Sequence, residues 1–403
     1  MRFSLKNSLL TSLLLLSSLL FCLVVAELGL RLADFSFYWP LSRSPDHITG
    51  WSAKPGTTGW QRLEGAGLVE INEDGFRDVF HTENSPMDVF RIAVVGDSFT
   101  EAVQVPLDKI YWSKLEKLLP QCAPANAAKK IEILGFGVSG YSTAQELLVI
   151  EKRIWKYQPD LVILGFFTGN DLLENSRALG GDAMRPVFEL KDGVLQKNMD
   201  FLQSQEYIAK NSLFGRFKLG VMSRFRLAQA IALAHHKFLL LSEISESKNM
   251  QINDVQTEPG IDVKIYAPPT DEKWHSTWEI TEALLKRIHE EVKKHGAKFL
   301  LVTMTNGAQV HPNSEFREYF KKRLNIPNLF YADERIKQIG IKHGFPVLNL
   351  AIDLQKFASQ TGVWLHGFKN SAKGIGHWNE NGHLIAGQRI ASYLCYNHEL
   401  LTK

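Results

Sequence analysis

Phe90-Arg-Ile-Ala-Val-Val95 runs directly into Gly96-Asp97-Ser98-Phe99-Thr100-Glu101. The first six residues are mostly apolar and rich in β-branched side chains, without polar alternation. That texture predicts a strand covered on both faces, stopped by Gly96. The same texture recurs downstream, at Ile131–Leu134, Leu161–Phe167, Lys298–Thr303 and Pro346–Leu350. Between these runs, helical spacing covers Asp108–Leu119, Thr143–Lys156, Thr277–His295 and Tyr331–His343, and Glu380–Tyr396 follows the last. Strands alternating with helices of this length require crossover connections and hence a parallel sheet with helices on both sides. The fold class is α/β, a doubly wound sandwich.

In open parallel sheets, ligands bind beyond the carboxyl ends of the strands. Ser98 follows the first strand, and Gly135-Phe-Gly137-Val-Ser-Gly140 follows the second. Thr168-Gly169-Asn170-Asp171 follows the third, and Gly376-His377-Trp378-Asn379 precedes the final helix. These residues together form the inventory of acyl transfer. A serine hydroxyl needs an adjacent base to attack at neutral pH, and His377, in a loop, is the candidate. The oxyanion needs preorganised donors. The backbone N–H of Ser98, that of Gly140 and the side-chain amide of Asn170 are the candidates, while Asp97 and Asp171 brace their turns. Glu380 and His383, at i, i+3 spacing on the final helix, form a rival acid–base pair. Asp353 is a remote candidate acid.

Outside this core, the 403 residues carry 46 Lys+Arg against 43 Asp+Glu and 45% hydrophobic side chains. Wholesale disorder is excluded, and a net charge of +3 gives no general attraction to nucleic acid. Arg2 and Lys6 precede or open an apolar stretch, Asn7–Ala26, that carries no charge. Some 20 such residues cross a hydrocarbon core of roughly 30 Å, and the flanking charges place the amino terminus in the cytoplasm. Residues 1–30 are therefore expected to be a membrane anchor with the catalytic bulk outside. The rivals are cleavage after Val24-Val25-Ala26 and, disfavoured by the bulk of Phe21, lipidation at Cys22.

Cys122 and Cys395 either pair outside the cytoplasm or stay as thiols, and the three cysteines have no metal-binding spacing. Residues 31–88 read as an irregular lead-in, and 89–403 as the main domain interrupted by a mainly helical insertion at about 175–270. Within the insertion, Tyr207–Ser242 holds six Lys/Arg and no acid, interleaved with Phe214, Phe217, Phe225 and Phe238. It reads as a lid, as a surface for anionic lipid or polymer, or as an ordinary insertion whose phenylalanines pack inward. Trp274, Trp364 and Trp378 suit either sugar stacking or the core.

The blocks Gly96-Asp-Ser-Phe, Gly140, Gly169-Asn170-Asp and His377 resemble those of the SGNH (GDSL-type) hydrolases. The Glu27-Leu-Gly-Leu-Arg31 anchor end and the Asn72–Arg77 turn resemble the membrane-anchored bacterial branch of that family. The resemblance implies a flavodoxin-like three-layer α/β/α sandwich with no metal or organic cofactor, with Ser98 as nucleophile and His377 as base. It implies an acyl ester substrate, a lipid or an acylated carbohydrate, and contact with the membrane through the N-terminal helix. The expected function is an extracytoplasmic serine esterase. The rivals are a polysaccharide O-acetyltransferase using the same serine and a non-catalytic carbohydrate-binding relative. The sequence departs from the family at Gly374 and Ile375, where an aspartate usually orients the histidine.

Overall fold

The computed structural model describes residues 5–122, 130–247, 258 and 261–402. Five parallel strands form the central sheet: β1 Val89–Gly96, β2 Lys130–Gly137, β3 Leu161–Phe167, β4 Lys298–Met304 and β5 Val347–Asn349. Their order is β2-β1-β3-β4-β5, the doubly wound arrangement of flavodoxin-like sheets. β1 and β3 are buried along their whole length, as strands covered on both faces must be.

The helices that build the anchor, the insertion and the two outer layers are α1 Leu5–Leu32, α2 Tyr111–Leu118, α3 Thr143–Lys152, α4 Leu213–Arg224, α5 Arg226–Ser247, α6 Glu272–Lys294, α7 Tyr331–His343 and α8 Glu380–Tyr396. The β1–β2 crossover, through α2, runs across the sheet opposite to the crossovers through α3, α6 and α7. Right-handed connections therefore put α2 on one face and the other three on the opposite face. The packing agrees: α2 lies against α8, and α3 against α6.

Reversal of strand order next to β1 opens the crevice in which such folds bind ligands. Three glycines lie abreast there, because Gly96 pairs with Gly137 on one side and Gly165 on the other. A Cβ on Gly96 would stand 2.3 Å from Thr100 Oγ1, and one on Gly137 would stand 2.2 Å from the backbone nitrogen of Glu101. The bare row lets the four-residue helix Ser98–Glu101 fold back onto the sheet directly after β1.

The lead-in differs from the irregular segment expected. It forms two antiparallel hairpins, Ser44–Asp46 with Gly50–Ser52 and Thr58–Gln61 with Gly67–Glu70. Tyr38, Leu41, Val69 and Ile71 bury a small core of their own with Val103, and Leu219 and Met222 of α4 pack on it. Arg77, closing the Asn72–Arg77 turn, is buried and donates to the carbonyls of Leu68, Glu101, Ala102 and Val105. One guanidinium thus ties the second hairpin to the turn carrying Ser98, and its five donors in a fixed fork suit it to that task.

α1 contains a 25-residue stretch, Ser8–Leu32, long and apolar enough to cross a membrane, and its apolar part packs on nothing else among the described residues. After the short helix Arg177–Gly180, the insertion forms a hairpin, Val187–Lys191 with Val194–Asn198, before turning helical again. The phenylalanines of its basic stretch do not pack inward: Phe214, Phe217, Phe225 and Phe238 are exposed. Cys122 and Cys395 form a disulfide with Cα atoms 5.6 Å apart, tying the end of α2 to that of α8.

Candidate active site

Ser98 enters the site through its capping residue. Asp97 is fully buried, accepts the Phe99 N–H at 2.9 Å and stands 3.4 Å from Ser98 Oγ. Burial pushes its carboxyl up to about 6, against the lowering pull of the Phe99 N–H and His377. The Ser98 hydroxyl lies 2.9 Å from His377 Nε2. His377 is held at its other ring nitrogen, where Nδ1 lies 2.6 Å from Oε2 of Glu64, and its own backbone N–H donates to Oε1 of the same carboxylate at 2.8 Å. A serine, a histidine and a carboxylate therefore stand in hydrogen-bonded series. The carboxylate comes from the loop of the second lead-in hairpin, 313 residues from the histidine.

Three contacts fix the Glu64 loop. Gly65 N–H donates to Asn370 Oδ1 at 2.9 Å, the Asn370 amide returns to Gly65 O, and Ala66 N–H donates to Gln104 O. Gly65 has a positive φ, and a Cβ there would lie 2.2 Å from Gln104 O. On the other side, Gly376 also has a positive φ, and a Cβ on it would lie 2.1 Å from Glu64 Oε1. The room that glycine leaves before His377 is the room the acid occupies. Glu258 accepts the N–H of Gly376 at 2.6 Å and that of Gly307 at 3.0 Å, bracing the same loop. Burial, only partly offset by those two N–H groups, raises its carboxyl to about 7.

The electrostatics of the pair are concordant. Burial on its own would raise Glu64 and lower His377. The short contact outweighs it in both, so Glu64 lies below its ordinary 4.5 and His377 above its ordinary 6.5. Asp97 and Glu258 add to the rise at His377.

Asn170 and Gly140 follow β3 and β2 at this edge of the sheet. Asn170 Nδ2 donates to Glu174 Oε2 at 3.3 Å, and its Oδ1 is buried without a hydrogen-bond partner among the described residues. Gly140 has a positive φ, and its carbonyl accepts Arg185 Nη2 at 2.8 Å. Arg185 also reaches Glu174 at 3.0 Å and Gln145 at 3.1 Å. One buried guanidinium from the insertion therefore spans both candidate oxyanion elements. Ser139, just before Gly140, donates its backbone N–H to Glu101 at 2.7 Å, which fixes that loop against the Ser98 turn. Asp171 is buried and accepts the Phe167 N–H at 2.6 Å, closing the β3 turn. Burial first, then Glu146 and Asp97, hold its carboxyl well above the usual range.

The rival groups lie elsewhere. His383 is buried, stacked on Tyr111 and edge-on to Trp378, and burial depresses it to about 3. Glu380 faces Lys109 at 3.7 Å, and Asp353 is exposed on its own helix. Trp274 and Trp378 are core residues, while Trp364 lines a cavity of about 740 Å³ with Phe368, Lys369 and Asn379. A second cavity, about 580 Å³, is lined by Asn170, Glu174 and Asp262 among others. Among the described residues, no group of His, Cys, Asp and Glu could hold a metal ion.

No protein-family model matches the chain, and no curated protein does. Among solved structures, it is similar to the acetyl xylan esterase AlAXEase, with 12% identity, a TM-score of 0.38 and coverage of 76% of this chain and 100% of that one. It is also similar to Axe2, an acetylxylan esterase from Geobacillus stearothermophilus, with 12% identity, a TM-score of 0.37 and coverage of 75% and 93%. TesA is a third, with 10% identity, a TM-score of 0.35 and coverage of 75% and 97%. At TM-scores below 0.5 the likeness says nothing of what this chain does.

Proposed function

We propose that this chain is a membrane-anchored, extracytoplasmic serine esterase of the SGNH (GDSL) type that removes short acyl groups from an envelope or exported carbohydrate. One observation carries the reading: the series Glu64–His377–Ser98, with contacts of 2.6 and 2.9 Å. Glu64 fixes the tautomer that leaves Nε2 free to accept a proton, and it stabilises the imidazolium formed when it does.

His377 takes the Ser98 proton as Oγ attacks the ester carbonyl. The oxyanion is met by the N–H groups of Ser98 and Gly140 and by the Asn170 amide, whose first N–H is committed to Glu174. Collapse expels the alcohol, protonated by His377, and leaves an acyl-serine. A water, deprotonated by His377, then releases the acid and restores the hydroxyl. Asp97 and Asp171 hold the turns and do not react. The carboxylates of Glu174 and Asp262 beside Asn170 suit a hydroxyl-bearing substrate. The extracytoplasmic setting is supported by the apolar α1 and by the Cys122–Cys395 disulfide, a bond that persists in oxidising compartments.

The test is hydrolysis of 4-nitrophenyl acetate by the detergent-solubilised full chain, together with fluorophosphonate labelling. Both are expected in the wild type and lost in Ser98→Ala and His377→Ala. A folded wild type with neither turnover nor label would overturn the proposal.

A further inference from the structure

Among the described residues, the insertion helices present an unpartnered surface where the anchor leaves the apolar phase. Glu27, one turn before the end of α1, accepts the backbone N–H groups of Arg226 and Leu227 at 3.0 and 2.8 Å and so caps α5. Arg31 donates to the carbonyl of Arg224 at 2.8 Å. Glu27 is the first charge after the apolar stretch, and 25 residues at 1.5 Å rise give about 37 Å against a hydrocarbon core of roughly 30 Å. The α4–α5 junction is therefore held at headgroup level. Leu9–Leu20 of α1 stay exposed on every side, so α5 contacts the outer end of the anchor and does not run down it.

From that junction, α4 exposes Leu213, Phe214 and Phe217, and α5 exposes Ile231 and Phe238, one face at helical spacing in each case. Arg216, Lys218 and Lys237 stand exposed among them, and no acid occurs between Tyr207 and Ser242. Beside them lies a cavity of about 430 Å³ whose walls include Phe214, Leu219 and Met222 and whose cations are Arg43, Lys210 and Lys218. Arg43 is paired with Asp182 and Lys210 with Glu206, which leaves Lys218 beside the apolar walls as the cation that matches an anionic amphiphile.

We propose that the α4–α5 surface is a second membrane contact, seated in the headgroup layer of a bilayer containing anionic phospholipid, so that the domain is held against the membrane at two points. Exposed aromatic and aliphatic side chains enter the acyl boundary while lysines and arginines meet phosphate. The inference rests on the anchor reading of α1, and its test separates the two.

The full-length protein is reconstituted into phosphatidylcholine vesicles with and without phosphatidylglycerol. An environment-sensitive fluorophore is placed at Phe217→Cys or Phe238→Cys in a Cys22→Ser background, with quencher carried on the lipids. A wild-type protein labelled at Cys22 reports the anchor, and Tyr319→Cys, exposed on the helix Ser314–Leu324, reports a surface outside α4 and α5. The expected result is a blue shift and loss of most emission at 217, 238 and Cys22, none at 319, with stronger quenching at 217 and 238 when phosphatidylglycerol is present. Water-like emission at 217 and 238 with Cys22 quenched would overturn the second contact and leave the anchor standing. Water-like emission at all three would overturn both. Equal quenching with and without phosphatidylglycerol would overturn the anionic-lipid assignment, and quenching at 319 as well would mark nonspecific adsorption.

Discussion

Replacing Glu64 by glutamine removes one charge and no volume, yet the geometry makes it a severe change. The carboxylate accepts twice from His377, at Nδ1 and at the backbone N–H. A glutamine has one acceptor and must turn its NH₂ toward one of those donors. If the NH₂ faces the ring, Nδ1 becomes the acceptor, the proton moves to Nε2, and Ser98 loses its base. If it faces the backbone, the imidazolium loses its counter-charge. Loss of the acid in a Ser–His–acid series costs about 10⁴-fold in kcat, or about 5.4 kcal/mol of barrier at 1.36 kcal/mol per decade. Glu64→Gln should therefore turn over 4-nitrophenyl acetate about 10⁴-fold more slowly than wild type, with KM little changed. Gly376→Ala, whose methyl would sit 2.1 Å from Glu64 Oε1, should lose activity in the same direction by displacing the acid. A folded Glu64→Gln enzyme, with wild-type circular dichroism, that kept its rate to within about tenfold would refute the assignment of Glu64.

Catalysis needs neutral His377, and Glu64 raises its pKa, so the acid limb of kcat/KM should lie above the ordinary 6.5 and move down in Glu64→Gln, as a pH–rate profile would show. Stability from the same pair runs the other way. The raised His377 contributes below its unfolded pKa and fades as pH climbs through its folded value, while the lowered Glu64 contributes above its unfolded value and fades as pH falls through its folded one. Tm against pH should therefore lose its Glu64-dependent increment at both ends. Arg185→Met, by freeing the Gly140 loop and Glu174 together, should lower kcat by up to about 10²-fold with little effect on KM, since small misplacements cost that much; unchanged kcat would count against the oxyanion arrangement. Replacing Cys122 and Cys395 with alanine should cost about 2–5 kcal/mol of unfolding free energy, measured by denaturant titration.

The strands of the sandwich could be read from sequence because each is a short, mostly apolar run, and Leu161–Phe167, Tyr331–His343 and Glu380–Tyr396 keep the bounds that their patterns predict. The place of Ser98, Gly140 and Asn170 at one edge was legible because topology sends residues after parallel strands there, and the contact of His377 with Ser98 joins the loop before the final helix to that edge. Short or polar elements were not. The lead-in hairpins have three- and four-residue strands, and the helices Ser314–Leu324 and Ala351–Thr361 carry a thin apolar face. Phe214, Phe217 and Phe238 carry no mark that tells an inward from an outward phenylalanine. Glu64 was missed because a contact spanning 313 residues leaves no local period. Its only trace is Glu64-Gly-Ala-Gly67, an acid followed by two glycines where other backbone must come close.

Because Glu64 precedes β1, the smallest active unit is not the smallest folding unit suggested by the sheet. A cut before Phe37 would part α1 from the chain and keep Glu64 joined to Ser98 and His377, whereas one between Glu70 and Val89 would break the covalent link between the hairpin that carries the acid and the sandwich that carries the serine and histidine. The two cuts, on either side of one hairpin, would thus have opposite consequences for the Glu64–His377–Ser98 series. Grafting the sandwich alone onto another chain would transfer the serine and histidine without the residue that aligns them.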